Sequence, residues 1–364
     1  SERPAMAAGV LTTNRVQAAP VLISQARLRG GTARAVLINS GCANCLTGSV
    51  GRSDALRLSQ TVAHALDLST DEILLASTGI IGRRLPLAKI QRAIPALVSA
   101  LGRANHRAAA EAILTTDQAI KEVAVEARIN GRVCRLGGMA KGAGMIAPSM
   151  ATMLGVLTTD VTASPAVLRQ MLQEASTSPF NQISVDGDRS TNDTVFLLAS
   201  GRSGVTVRPG TPSARQFAHM LTAVSEQLAR LIVKDGEGAS RLIEVQVVGA
   251  ATVTEAAACA RQVAYSPLVK TMVAGGDPNV GRIAAAVGAS PARCNVQTLE
   301  IFLGDQRVVA GGVPVPIKKP HLRSLLLRPE VVLRIDLHAG RAHSRMLTCD
   351  LTEEYVRINA RYST

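Results

Sequence analysis

The sequence predicts an α+β fold: layered sheets flanked by helices, an α/β/β/α-like sandwich with an additional C-terminal α/β subdomain over about residues 240–364. Three observations carry this. Short apolar runs bounded by Gly, Asn and Ser read as strands, and they are interspersed with longer stretches of helical period. Hairpin signals occur beside crossover-length connections, so strict β-α-β alternation fails. Apolar residues make up 47% of the 364-residue chain while aromatics are only 2% and Trp is absent, so aliphatic side chains and alanine must build the core.

Taken in order, "ARAVLINSG" (33–41) and "EILLAST" (72–78) read as buried strands ending in small polar loops. Between them Ser53 is placed to cap a helix carrying Leu56, Leu58, Val62 and Leu66. Pro86 opens a second helix with Ile90, Ile94, Leu97, Val98 and Leu101 on one face, and Pro95 within it predicts a kink or an early stop. Asn130-Gly131 between two alternating runs predicts a tight hairpin. "ATMLGVLTTD" reads as an apolar strand, Ser164-Pro165 as the cap and first turn of a helix through Ala175, and "NDTVFLLASG" as a strand. A long amphipathic helix follows with Phe217, Met220, Leu221, Val224, Leu228 and Leu231 inward. "EVQVVGA" is a strand, residues 255–263 an alanine-rich helix, and three strand-rich runs close the chain.

Composition narrows the function. The formal net charge is +13, but the basic residues are scattered and only three Tyr and four Phe are available to stack on bases. A basic solvated surface is the better reading than nucleic-acid binding. No apolar run reaches the ~20 residues of a membrane span. The stretch "SERPAMAAGVLTTNRV" lacks an apolar core with a cleavage site, so no secretory signal is expected and the cytoplasm is the expected location. The six cysteines are then expected to be free thiols, Cys42-Ala-Asn-Cys45 included, because no second pair completes a zinc site. No histidine accompanies a G-x-S-x-G elbow and no H-E-x-x-H occurs, so neither a Ser-His-Asp hydrolase nor a zinc enzyme is expected. "GGMAKGAGM" matches neither common phosphate-loop pattern.

What remains are small polar residues in glycine-rich loops: "NSGCANCLTG", "STGIIG", "LTTD", "GGMAKGAGMIAPSMAT", "SVDGDRSTNDT", "KDGEGASR", "LVKTMVAGGDPNVGR" and "YVRINARYST". Together they suggest loops converging on one site. A threonine hydroxyl is a poor nucleophile without a base, and one remedy is to free its own α-amine by cutting the chain before it. "KGAGMIAPSMA" followed by Thr152 offers flexible glycines, a small Ala151 and a strand to hold Thr152. An ordinary strand threonine would look the same in isolation.

"MAKGAGMIAPSMATML", with "STGIIG", "STNDT", "DGEG", "LVKT", "DPN-GR" and the terminal "YV-IN--Y-T", resembles the bifunctional ornithine acetyltransferase / N-acetylglutamate synthase family of arginine biosynthesis over essentially the whole chain. The resemblance implies an N-terminal-nucleophile-like fold. It implies self-cleavage between Ala151 and Thr152 into an α chain (1–151) and a β chain (152–364), with Thr152 as nucleophile. It further implies ping-pong transfer of acetyl from N-acetylornithine to Thr152 and on to glutamate. It places Thr78 and Gly79 at the oxyanion hole, and Thr115 or Thr116, Lys141, Thr152, Glu237, Asn359 and Thr364 at the substrate. Lys141 suits an α-carboxylate and Glu237 the ornithine ammonium. It implies no metal or resident cofactor, leaves open acetyl-CoA as a second donor, and suggests an α2β2 assembly.

Departures are Cys42 where the family usually has Asn, Val280 for Trp, and Ser240-Arg241 for Thr-Lys. The family normally carries some tens of residues before "AAGVLTTNRV", and loss of a first strand would expose a sheet edge. Two other classes fit the pattern: a self-processing amidohydrolase or aminopeptidase using water as acceptor, and a non-catalytic binder of anionic metabolites.

Overall fold

A computed structural model describes residues 1–147, 153–177 and 179–361. Ala151, Thr152 and Thr364 lie outside the described residues. The chain divides into two compact units, Ser1–Asn181 with Asp188–Ile232, and Gln182–Gly187 with Val233–Thr364.

In the first unit the elements run β1 (Ala5–Leu11), α1 (Ala19–Arg27), β2 (Thr32–Ala33), β3 (Ala35–Asn39), α2 (Gly48–Leu66), β4 (Ile73–Ser77), α3 (Leu87–Ser99), α4 (His106–Ala112), β5 (Lys121–Ile129), β6 (Arg132–Lys141), β7 (Leu154–Thr159), α5 (Pro165–Thr177), β8 (Thr194–Ala199) and α6 (Pro212–Lys234), whose last two residues fall in the second unit. A six-stranded sheet has the order β2-β1-β8-β7-β6-β5, and β3 and β4 form a separate parallel pair. Side chains from the two sheets share a core that includes Leu74, Ala76, Leu154, Phe196 and Leu198. On the outer face of the β3–β4 pair, Ile73 and Leu75 pack with Ala55, Leu58 and Val62 of α2, Ile94 of α3 and Ile23 of α1. Val224 and Leu228 of α6 lie over Gly138 of β6, and α5 packs on β1. The expected helix-sheet-sheet-helix layering is therefore present in this unit.

Local chemistry explains most elements. Asn130 and Gly131 have φ of 51° and 77°, the left-handed pair that turns β5 into β6, whose register runs from Ile129↔Arg132 to Lys121↔Ala140. The β7-α5-β8 connection is a crossover between parallel strands, and Ser164 Oγ accepts from Val167 N–H at the start of α5 (3.3 Å). Along α6, Phe217, Met220, Leu221, Val224 and Leu228 are buried as expected, whereas Leu231 is half-buried and Ile232 takes the interior position.

Three expectations need correction. The helix after β3 begins at Gly48, not at Ser53. Its first turn is tied down by Asn44 of the preceding loop, whose Nδ2 donates to Gly51 O (2.9 Å), a side-chain bond that offsets the weak helix preference of two glycines. The second helix runs unbroken through Pro95 to Ser99, with Pro95 on its exposed side. Of its predicted face only Ile94 is fully buried; Leu97 and Leu101 line a largely apolar cavity of about 1270 Å3 between β3 and the six-stranded sheet. β4's outer edge is occupied by α1, because Ser24 Oγ bridges Leu75 N and O (2.8 and 2.7 Å) and Arg27 donates to Ile73 O (2.6 Å). The outer edge of β3 has no strand partner among the described residues.

The second unit contains β9 (Leu242–Ala250), α7 (Val253–Tyr265), α8 (Pro267–Gly275), α9 (Gly281–Gly288), β10 (Glu300–Leu303), β11 (Gln306–Ala310), β12 (Val313–Pro314), α10 (Lys319–Leu326), β13 (Glu330–Asp336), β14 (Ala342–Cys349) and α11 (Glu353–Asn359). Its sheet has the order β12-β11-β10-β13-β9-β14, with β9 and β13 parallel. Helices α7 to α10 contribute Val263, Met272, Ile283 and Leu326 to one aliphatic core. "LVKTMVAG" and "YVRIN", read above as loop sequence, are helical. Ser266 Oγ accepts from Val269 N–H at the start of α8, ahead of Pro267 at its first position. Val280 is half-buried against the core. Among the described residues no helix is long and apolar enough to cross a membrane.

Candidate functional site

The ends of β3 and β4 continue side by side into "NSGCAN" and "STGIIG". Thr78 N–H donates to Asn39 O (3.0 Å), Ala43 N–H to Ile80 O (3.0 Å), and Ser77 Oγ to Asn39 Oδ1 (2.6 Å). Gly79 sits at φ 125°, and a Cβ there would lie 2.2 Å from the Gly41 carbonyl carbon. Only glycine allows this approach. The Gly79 N–H makes no hydrogen bond to any described residue, whereas the Thr78 N–H is already committed. Of the two sequence-predicted oxyanion-hole residues, Gly79 thus offers a backbone donor and Thr78 its hydroxyl.

That hydroxyl lies beside Lys141, the last residue of β6. Lys141 Nζ donates to Thr115 Oγ1 (2.7 Å) and Thr78 Oγ1 (3.3 Å) and stands 3.4 Å from Asp117 Oδ2. The structure therefore brings three predicted residues together and selects Thr115 over Thr116 as the partner of Lys141. Asp117 was not singled out in the sequence, yet it organises the cluster. Its side chain is fully buried, and it accepts from Lys121 Nζ (2.7 Å), Gly142 N–H (2.7 Å) and Thr115 N–H (3.2 Å). Burial pushes its carboxyl upward, but Lys141, Lys121 and the Gly142 N–H more than offset this and hold it at about 2. Lys141 Nζ is thus buried against a carboxylate and two threonine hydroxyls.

Next to this cluster, β7 begins. Lys141 is opposite Leu154 in the β6–β7 register. Met153, the residue after Thr152, is held at both backbone groups: its N–H donates to Asp193 Oδ1 (3.1 Å) and its carbonyl accepts from Thr194 N–H (3.0 Å). Asp193 is fully buried, and its Oδ2 has no hydrogen-bond partner within bonding distance among the described residues. Burial pushes its carboxyl well up; the Met153 N–H, the nearby Ser190 hydroxyl, Lys141 and Arg189 pull the other way without cancelling it. Asn192 Nδ2 donates to Ala43 O (2.7 Å) and Ser77 O (2.8 Å). "STNDT" was visible as a motif, but sequence alone does not say that its Asn and Asp side chains bond to other loops.

In the second unit, Glu237 is buried and accepts from Asn359 Nδ2 (2.7 Å), so these two predicted residues also meet. Ser240 and Arg241 give their backbone N–H groups to Asp350 Oδ1 (2.8 and 2.9 Å), and both side chains also reach Asp350 Oδ2. Cys42 is buried and its thiol contacts Arg83 O (3.2 Å); all six cysteines are unpaired. All six histidines are exposed. Among the described residues, Glu300, Asp336 and His338 are spaced closely enough to share a cation, but Arg307 already occupies Glu300 Oε1 (2.9 Å).

A family model described as the ArgJ family matches residues 1–364. The chain belongs to the ArgJ family. The arginine biosynthesis bifunctional protein ArgJ of Dehalococcoides mccartyi is 44% identical over 365 aligned positions, covering all of this chain and 90% of that protein. Its counterpart in Symbiobacterium thermophilum is 45% identical, again covering all of this chain and 91% of that protein. The crystal structure of Bacillus halodurans ArgJ aligns with a TM-score of 0.54 at 39% identity, over 56% of this chain and 97% of that chain. ArgJ membership makes the meeting of Thr78, Thr115 and Lys141 the place to look for chemistry.

Proposed function

We propose that the chain is a glutamate N-acetyltransferase that moves acetyl from N-acetylornithine to glutamate through Thr152. The observation that carries this reading is the convergence of a buried Lys141 ammonium, the Thr78 hydroxyl, the Gly79 N–H and the anchored backbone of residue 153, in a chain of the ArgJ family. Thr152 Oγ attacks the Ala151 carbonyl, the peptide bond becomes an ester, and water hydrolyses it. The freed Thr152 amine then takes the hydroxyl proton when Oγ attacks the acetyl carbonyl of N-acetylornithine, and ornithine leaves with a proton on its amine. The glutamate amine next attacks the acetyl ester, releasing N-acetylglutamate and restoring the hydroxyl. Gly79 N–H and Thr78 Oγ–H are the donors to the tetrahedral oxyanion, worth about 3 kcal/mol per donor. Lys141 pairs with a substrate α-carboxylate, and Glu237 with the ornithine ammonium. The cleaved halves are proposed to assemble as α2β2, with no resident cofactor, and acetyl-CoA serves as a candidate second donor.

The test is direct. On a denaturing gel the chain should give two bands of roughly 16 and 22 kDa, the 38.0 kDa mass divided at residue 151, with Thr152 as a new N-terminus. Incubated with N-acetylornithine and glutamate it should release ornithine and N-acetylglutamate. An uncut chain with full activity would sink the mechanism, and release of acetate alone would favour a hydrolase. Synthesis of N-acetylglutamate from acetyl-CoA would establish the second donor.

A further inference from the structure

We propose that Asn192 and Asp193 form a two-jawed clamp that sets the distance between the oxyanion-hole loop and the nucleophile strand, and are positioning residues for the transfer. The proposal rests on the reading of Thr152 as nucleophile and adds residues that the reading does not use. Asn192 holds the Ser77 carbonyl, the group immediately before Thr78, and the Ala43 carbonyl of the neighbouring loop. Asp193 holds the N–H of Met153, which is bonded directly to Thr152. The β7–β8 ladder pairs Leu154 with Thr194 at its start, and Thr194 N–H reaches Met153 O. The Asp193 side chain extends that grip one backbone group further towards Thr152.

The two jaws are adjacent residues, so a single trans peptide unit of about 3.8 Å separates their Cα atoms. The clamp itself is immobilised. Asp193 O accepts from Thr12 N–H (2.9 Å), Ser190 O from Thr12 Oγ1 (2.7 Å), Thr191 O from Ala18 N–H (3.1 Å), and Ser190 Oγ from Asn192 N–H (3.0 Å). Asn192 and Asp193 are 4% and 0% exposed, so neither bond competes with water. Retaining a fully buried carboxyl whose second oxygen has no partner among the described residues is costly, which fits a role beyond packing.

The test uses the full chain with Asn192→Ser, Asp193→Ser, the double variant and Asp193→Asn, measuring self-cleavage rate, kcat, KM and thermal midpoint. Each serine variant should lose about 30- to 100-fold in kcat, the scale expected of a misplacement near 1 Å, with KM little changed. The double variant should lose no more than about 3-fold beyond the worse single, because opening either jaw already frees the distance, while the losses in thermal midpoint add. Asp193→Asn keeps an acceptor for Met153 N–H and should retain at least about a third of kcat, since its carbonyl reproduces the Oδ1 contact. Losses in kcat that multiply in the double variant, a change confined to KM, or an Asp193→Asn variant as poor as Asp193→Ser would overturn the clamp. If Asp193→Ser fails to fold, Asn192→Ser and Asp193→Asn still give the kcat and KM comparison. A wild-type chain that is neither cut nor active would instead overturn the underlying reading.

Discussion

Two buried carboxylates in one unit have opposite fates. Asp117 sits between Lys121 and Lys141 and is held charged at about 2. Asp193 is fully buried with the Met153 N–H on Oδ1 and the Ser190 hydroxyl nearby, and burial pushes it well up. Depth does not separate them, since both side chains are out of water. The difference is the number of cations and donors within hydrogen-bond reach. Asp117 is an electrostatic hub between Lys121 and Lys141; Asp193 acts as a geometric acceptor for which charge is unnecessary.

The largest expected effect is on the hub. Asp117→Asn removes the buried carboxylate that both Lys121 and Lys141 contact and should cost about 3–5 kcal/mol in urea unfolding. Lys121→Met keeps the Asp117–Lys141 contact but removes the 2.7 Å bond, and should cost about 2 kcal/mol while ornithine release persists. Acid should act in the same direction. The folded Asp117 value lies below the unfolded one, so its contribution is present above about pH 4 and lost as pH falls through about 2, a span worth about 2 kcal/mol in a pH series of unfolding midpoints. Asp193 has the reverse sign: its contribution is present below the unfolded value near 4 and fades as pH rises through the raised folded value. Asp193→Asn should therefore leave stability at neutral pH equal to or above that of the unaltered chain. A loss comparable to that of Asp117→Asn would erase the contrast.

Elements governed by local chemistry were legible in the sequence. Asn130-Gly131, Ser164-Pro165 and the 3.6-residue period of α6 each state their structure within a few residues. The start of α2 was not, because it is tied down by a side-chain bond from Asn44 in the loop before it to the Gly51 carbonyl, which no capping pattern marks. α8 and α11 were obscured by motif residues, since a conspicuous glycine, lysine or asparagine draws the reading towards a loop even when a helix carries it. Of the site residues proposed from the motifs, Lys141, Thr78 and Thr115 meet in the first unit, and Glu237 and Asn359 meet in the second. Asp117, Asn192 and Asp193 act through other residues, and no one-dimensional pattern records partners such as Lys141, Met153 or Ala43 that lie 24 to 149 positions away.

The strand order β2-β1-β8-β7-β6-β5 has a consequence for any cut before Thr152. Strands β1 and β2 lie before that point, β7 and β8 after it, and β5 and β6 before it again. The two pieces would be interleaved within a single sheet, joined along the β1–β8 and β6–β7 ladders. Neither could leave without unzipping both seams, so the nicked protein would behave as one body under native conditions. Once unfolded, the pieces would have to find each other by diffusion, and recovery would become concentration-dependent where the uncut chain's is not. Cleavage would be easy to survive and hard to repeat from separated parts, a one-way assembly written into the order of six strands.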